Sequence, residues 1–309
     1  MTELRRRLDE VLFGPGTGSR LLIVHTGLAA LIGIRIVCSP FRAFSGTPDA
    51  LWEPVPVLAV LHSAPSTAAI VALQVIGGAA ALAAVLRRHP RVTFAVAWLC
   101  FVVLAGIRGS RGKVLHNDLL LLWVAVPFLL APVRVALSDR TPRRDHGWPV
   151  RSAIAIAALI YCFAGYHKVR RAGLDWAIGD NVRYVLLWGP AVGQATWEGL
   201  ARWVAEHDWA ARATGASVLA LELSFPLALV RHRLQPLYAA GAVGLHVATY
   251  LLLGLDYWTW AATVVLLFID WGAVAARWSE RRDRARHRRR SGVGCSPVTA
   301  TPGTRTEAP

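Results

Sequence analysis

Charge is scarce in this chain. Only 17% of its 309 residues are Asp, Glu, Lys or Arg, against about 25% in an ordinary soluble domain. Together with 55% hydrophobic residues and a mean hydropathy of +0.42, that excludes a disordered or fibrous chain and argues against a soluble domain. Cysteine is scarce as well: Cys38, Cys100, Cys162 and Cys295 lie far apart and none is in a CxxC pair. No disulfide framework is expected, and because the histidines lack close paired spacing, no metal is expected either. There is no glycine-rich phosphate loop, and none of the nucleic-acid folds fits, so no nucleic-acid partner is expected. There is also no internal repeat. That absence, with the lack of paired Gly/Pro-broken helices, argues against a small-solute transporter. Lysine is nearly missing: of 34 basic residues only Lys113 and Lys168 are lysines, so each raises the question of why arginine would not serve.

What is present is apolar runs separated by short arginine blocks, the pattern of membrane loops. A spanning helix needs about 20 mostly apolar residues. Eight stretches approach this, near 21–38, 66–86, 92–108, 114–136, 151–168, 213–231, 236–254 and 257–275. The expected fold is therefore an all-α integral membrane protein of about eight transmembrane helices. The first 20 residues carry Arg5, Arg6 and Arg7 and make a poor signal peptide, so the first span is expected to stay in the mature protein. With the N-terminus inside, 23 Lys and Arg fall on its side and 10 on the other, Arg35 lying within the first span. This predicts a cell-membrane protein with both termini cytoplasmic. The exception is the 108–113 loop, where Arg108, Arg111 and Lys113 face outward: either the orientation fails there or those charges have a task. Residues 174–212 hold five tryptophans among carboxylates and are too polar to span. They are read as one or two amphipathic helices lying in the outer interface or partly re-entrant. Expected boundaries are a cytoplasmic segment 1–20, a membrane domain 21–276 and a basic, disordered cytoplasmic tail 277–309. The tail's arginines would lie on anionic lipid or act as a stop-transfer flank.

Charges in hydrocarbon cost about 2.5–3.5 kcal/mol on insertion scales, so intramembrane polar residues are where chemistry is sought. His25 and Arg35 fall in the first span, and His116, Asn117 and Asp118 at the start of the fourth. His167 and Lys168 end the fifth, Glu222 is within the sixth, His246 within the seventh and Asp270 near the end of the eighth. In the orientation above, His116–Asn117 and His167–Lys168 converge on the outer leaflet beneath the tryptophan-rich segment, with Glu222 and His246 a turn or two deeper. Each residue also has a structural reading. Lys168 would snorkel, His246 would join two helices by a hydrogen bond, Glu222 and Arg35 would pair with one another, and Asp270 would cap or snorkel. Low-dielectric surroundings disfavour an ammonium, so a lysine there can act as a general base. Arginine stays protonated.

The stretch Tyr161-Cys-Phe-Ala-Gly-Tyr-His-Lys168, followed by Asp175-Trp176-Ala-Ile-Gly179, resembles the signature of the HTTM domain. That is the multi-span membrane domain of vitamin K-dependent gamma-carboxylase and its bacterial relatives. Arg35 in the first span, the His116-Asn117 pair, and Gly244-Leu-His246 through Gly254 to Trp258, Trp260 and Phe268 agree with the family pattern, and the resemblance covers about 20–276. It implies a membrane enzyme in which Lys168 is the base that deprotonates a reduced quinone, of the vitamin K or menaquinone type. His116, Asn117 and His246 would act as further catalytic residues. Arg35, Trp176 and Glu222 are the candidates for holding that cofactor. Only 33 residues follow Ala276, so glutamate carboxylation on a large extramembrane region is not expected. The resemblance is rather to short bacterial members, including the branch of the sporulation-delaying toxin maturation factor. The partners implied are membrane lipid and a small exported peptide or protein. The alternative is a non-catalytic accessory or maturation factor for such a peptide.

Overall fold

A computed structural model of the chain describes residues 3–111, 116–274, 277–278 and 281. Lys113 and nearly all of the tail 277–309 lie outside them, and with them what the sequence predicts there. The described residues are helical, the only β pairing being an isolated bridge between Gly16 and Arg143. Residues up to Ile269 form one compact unit, and Asp270–Pro309 is a separate one.

The first four helices are α1 (Glu3–Phe13), α2 (Gly18–Cys38), α3 (Thr67–Val85) and α4 (Pro90–Gly109). Local chemistry sets their starts. The Thr17 hydroxyl accepts the Arg20 N–H to cap α2, and Ser66 accepts the Ala69 N–H to cap α3. Pro90, with no N–H to leave unpaired, opens α4. Then come α5 (Leu119–Leu129) and α6 (Arg144–Ala172), followed by α7 (Asp175–Ile178), α8 (Asn181–Ala191) and α9 (Glu198–Glu206). The unit closes with α10 (Asp208–Ser224), α11 (Leu227–Val230), α12 (Gln235–Leu253) and α13 (Trp258–Phe268).

Five of the eight expected stretches form helices long and apolar enough to cross a membrane: α2, α3, α4, α6 and α12 with the 3-10 turn before it. The other three are shorter. The run at 114–136 yields only the 11-residue α5, with Pro127 in its last turn, where the ring removes one helical hydrogen bond. The run at 213–231 breaks at Phe225-Pro226, between α10 and α11. The run at 257–275 stops at Phe268 after 11 residues. Long helices with apolar side chains on their outer faces mark this as a membrane-type bundle. Val37, Val75, Val92 and Phe163 are each more than 60% exposed, an arrangement that water penalises and lipid does not.

One core lies between α2, α4, α5, α6 and α13, around Leu28, Phe94, Phe101, Val124 and Phe268. A second, smaller one lies where α8 and α9 cover α12, around Leu186, Ala201 and Leu252. The tryptophan-rich segment is thus three short helices and the start of α10. Trp188, Trp197, Trp203 and Trp209 are exposed, and Trp176 is turned toward the bundle. Helix α9 is amphipathic, with Ala201, Val204 and Ala205 inward and Glu198, Arg202 and Glu206 outward.

Two glycines bring these layers together. Gly254 ends α12 at φ +65°, and a Cβ there would fall 1.9 Å from the Gln194 carbonyl oxygen. Gly165 lets α6 and α10 approach until a Cβ would stand 3.0 Å from Cβ of Glu222.

Candidate functional site

Between α6, α8, α10, α12 and the start of α13 lies a cavity of about 290 Å³. Its walls are mainly aliphatic, from residues such as Val182, Val218 and Leu252. Polar groups enter it at a few places, which is the usual composition of a small-molecule pocket. Lys168, His116 and His246, predicted from the sequence to share one site, all line it, as do Trp176 and Glu222.

Lys168 does not extend to water. Its Nζ donates to both carboxylate oxygens of Glu222 and lies 5.0 Å from the centre of the Trp176 ring. The lysine side chain is 24% exposed and the glutamate 7%. The pairing of Glu222 with Arg35 considered from the sequence is not made. The approach of α6 to α10 at Gly165 brings Lys168 to Glu222 instead.

Two phenol–imidazole pairs form the other polar edge. The Tyr161 hydroxyl and His246 Nε2 are 2.6 Å apart, and the Tyr257 hydroxyl and His116 Nε2 are 2.7 Å apart. Tyr161 is held by a stack on Phe225, with ring centres 4.2 Å apart and planes 8° apart. His246 is 8% exposed, and its Nδ1 is buried without a hydrogen-bond partner. With the tyrosine hydroxyl donating to Nε2, the Nδ1–H is left over. The Trp260 ring stands edge-on to Tyr161, His246, His116 and Tyr257, joining the two pairs.

Asn117 and Arg35 are not in the cavity wall. They belong to a brace behind it. Arg35, on α2, donates Nε to Asp118 at 2.6 Å and an Nη to Asp256 at 2.9 Å. Arg108, at the end of α4, donates to the second Asp118 oxygen at 3.4 Å. The Asn117 amide donates to the Asp256 carbonyl at 2.6 Å, and its own carbonyl accepts from Thr259 and Trp260. This brace ties the turn before α5 to the α12–α13 loop, and so sets His116 against Tyr257. Of the three charges in the 108–113 loop, Arg108 pairs with the buried Asp118, Arg111 lies over the Phe44 ring at 5.2 Å, and Lys113 lies outside the described residues. His167 is exposed, and His25 is buried against Phe94 and Phe128, outside the cavity wall. Sequence reasoning passed over Tyr161 as a functional group and missed Tyr257 and Asp256. Tyrosine in an apolar run gives no signal, and Asp256 sits in a loop where a carboxylate is unremarkable.

Replacing Tyr161 with phenylalanine keeps the stack on Phe225 but leaves both nitrogens of a buried imidazole unpaired. A loss of about 1–2 kcal/mol is expected, measured by thermal unfolding in detergent. Tyr257→Phe should cost less, because His116 is exposed.

A comparison with family models, with curated proteins and with solved structures found nothing that matches this chain.

Proposed function

We propose that the chain is a membrane enzyme of the HTTM type, a short relative of the membrane domain of vitamin K-dependent gamma-carboxylase. In this reading it crosses the cell membrane eight times with both termini cytoplasmic. The three shorter crossings are α5, α10–α11 and α13, whose irregular ends are tolerated where protein covers them. The cavity opens in the outer leaflet, and α7–α9 lie in the interface above it. The observation that carries the reading is that Lys168, Glu222, His246 and His116 all line one apolar-walled cavity.

The chemistry of the cavity suits the head of a reduced quinone. About 290 Å³ is near the lower end of the roughly 300–1,000 Å³ of ligand pockets. It accommodates a ring system and leaves a prenyl tail to lie in lipid. Trp176 and Trp260 supply aromatic walls, and the unpaired Nδ1 of His246 supplies a donor for a ring oxygen. When bound, the quinone would supply the redox chemistry. The chain's own part is to orient the ring and receive the proton of a ring hydroxyl. The Lys168–Glu222 pair is the acceptor: the proton on Nζ passes to the Glu222 carboxylate, which leaves Lys168 as the neutral amine that takes the proton of the ring hydroxyl. The substrate in this reading is a small exported peptide or a lipid-phase molecule.

The test is to purify the full chain in mild detergent and quantify bound naphthoquinone by mass spectrometry, before and after adding a short-tailed naphthoquinol. Lys168→Ala and Lys168→Arg are both expected to retain about ten-fold less than wild type, the value of one charge-assisted hydrogen bond, while eluting as folded protein. Equal retention in all three, or none in any, would overturn the reading. The closed Lys168–Glu222 pair favours the second reading, an accessory factor for a small secreted peptide. There the pair is structural, and peptide maturation survives Lys168→Arg.

A further inference from the structure

A second, strongly polar cavity of about 570 Å³ lies at the other end of α6. His146, which lines it, is 22 residues before Lys168, about 33 Å along a helix rising 1.5 Å per residue. Three segments form its wall: the turn into α4, residues 132–135 after α5, and the first turn of α6. Together they contribute Arg91, Arg134, Arg143, His89 and His146, against a single carboxylate, Asp145.

The arrangement has three features of an anion site. First, the positive charge is only partly compensated, by Asp145 and by Asp139 beside His146. Asp145 is engaged by Arg143 at 3.0 Å, Arg91 donates to the Ala131 carbonyl at 3.3 Å, and Arg134 makes no hydrogen bond or ion pair among the described residues. Second, two long helices begin here, α4 at Pro90 and α6 at Arg144, and neither has a side-chain cap. Their first N–H groups and the positive ends of both dipoles are therefore directed at this end of the bundle. Third, His146 is 5% exposed, and its Nδ1 makes no hydrogen bond, standing 3.7 Å from Asp139. Arg87, donating to the Val133 carbonyl, holds the 132–135 segment in place behind them.

We infer that this cavity binds a phosphate group. Arginine forks and helix N-termini are the groups that recognise phosphate, and a basic pocket between helices at one end of a membrane bundle is how such proteins hold anionic headgroups. The phosphate is carried either by a lipid headgroup or by a soluble molecule, and one experiment separates the two.

The full chain in detergent is titrated with phosphatidylglycerol and, separately, phosphatidylcholine, and adducts are counted by native mass spectrometry with and without inorganic phosphate. Wild type is expected to keep phosphatidylglycerol and not phosphatidylcholine. Arg91→Gln/Arg134→Gln should weaken that binding about ten-fold or more, the worth of a hydrogen bond to a charged group. Arg134→Gln alone, which removes no bond seen among the described residues, should weaken it in the same direction, so the test does not depend on the stability of the double variant. Arg231→Gln/Arg233→Gln, which removes exposed arginines elsewhere, should leave it unchanged. Displacement by inorganic phosphate assigns the site to a soluble phosphate, and insensitivity assigns it to lipid; either supports the site. Wild-type binding in the Arg91/Arg134 variant, an equal loss in the Arg231/Arg233 variant, or no phosphate-dependent binding at all would overturn it.

Discussion

Arg35→Ala is expected to lower stability by about 3–5 kcal/mol, the range for breaking a buried ion pair from one side. Side-chain exposure is 5% for Arg35 and 4% for Asp118, so neither charge can be rehydrated in place. Once Arg35 is gone, Asp118 retains only the longer contact to Arg108 at 3.4 Å. Asp256, 44% exposed, can turn to solvent and contributes less to the loss. Arg35→Lys should recover only part of it, because an ammonium cannot fork to two carboxylates on different elements as a guanidinium does. By contrast, Arg35→Leu/Asp118→Leu should regain most of it, since apolar replacement of a whole buried pair is often near neutral. Unfolding of wild type, Arg35→Leu, Asp118→Leu and the double variant in a common detergent gives the coupling energy directly. A coupling below about 1 kcal/mol, the level of an exposed pair, would mean the brace is hydrated and does not hold His116 against Tyr257.

That brace shows where the sequence was informative and where it was not. Long apolar runs announced α2, α3, α4, α6 and α12, because a helix in lipid has to be apolar along its whole length. The same rule over-extended α5 and α10: hydropathy counts apolar residues and does not register Pro127 in the last turn of α5 or Pro226 just after α10. Lysine, glutamate and histidine in such runs are conspicuous for an energetic reason, which is why Lys168, Glu222, His116 and His246 were identifiable in advance. Their partners were not. Whether Glu222 meets Arg35 or Lys168 depends on how closely α6 and α10 pack. That is decided by Gly165, whose role emerges only when a Cβ is placed against Glu222. Asn117 and Arg35 stood out for the same reason as the cavity residues, yet they serve the turn behind it. A buried polar residue signals that a partner exists and leaves open whether the partner is a ligand or the fold itself.

Lys168→Ala is expected to cost about 3–5 kcal/mol, because it leaves the Glu222 carboxylate, 7% exposed, with no cation in an apolar wall. The size of that loss is the difficulty in testing Lys168 as a base: a single substitution removes the amine and the structural pair together. Lys168→Met/Glu222→Leu separates them. It fills both positions with apolar side chains, and the stability lost in Lys168→Ala should largely return, to within about 1–2 kcal/mol of wild type. Retention of a naphthoquinone head should not return, since the double variant has neither the proton acceptor nor its counter-charge. Glu222→Gln gives the complementary result. It keeps a hydrogen-bonding group beside Lys168 but removes the charge that holds the ammonium, so stability should fall less than in Lys168→Ala while quinol binding still weakens. A double variant that is stable and also binds quinol like wild type would reduce Lys168 and Glu222 to an internal strut between α6 and α10, and the cavity would then work through its imidazoles. A stable double variant without binding would place the function on the lysine–glutamate pair, because the fold would have been shown not to need it.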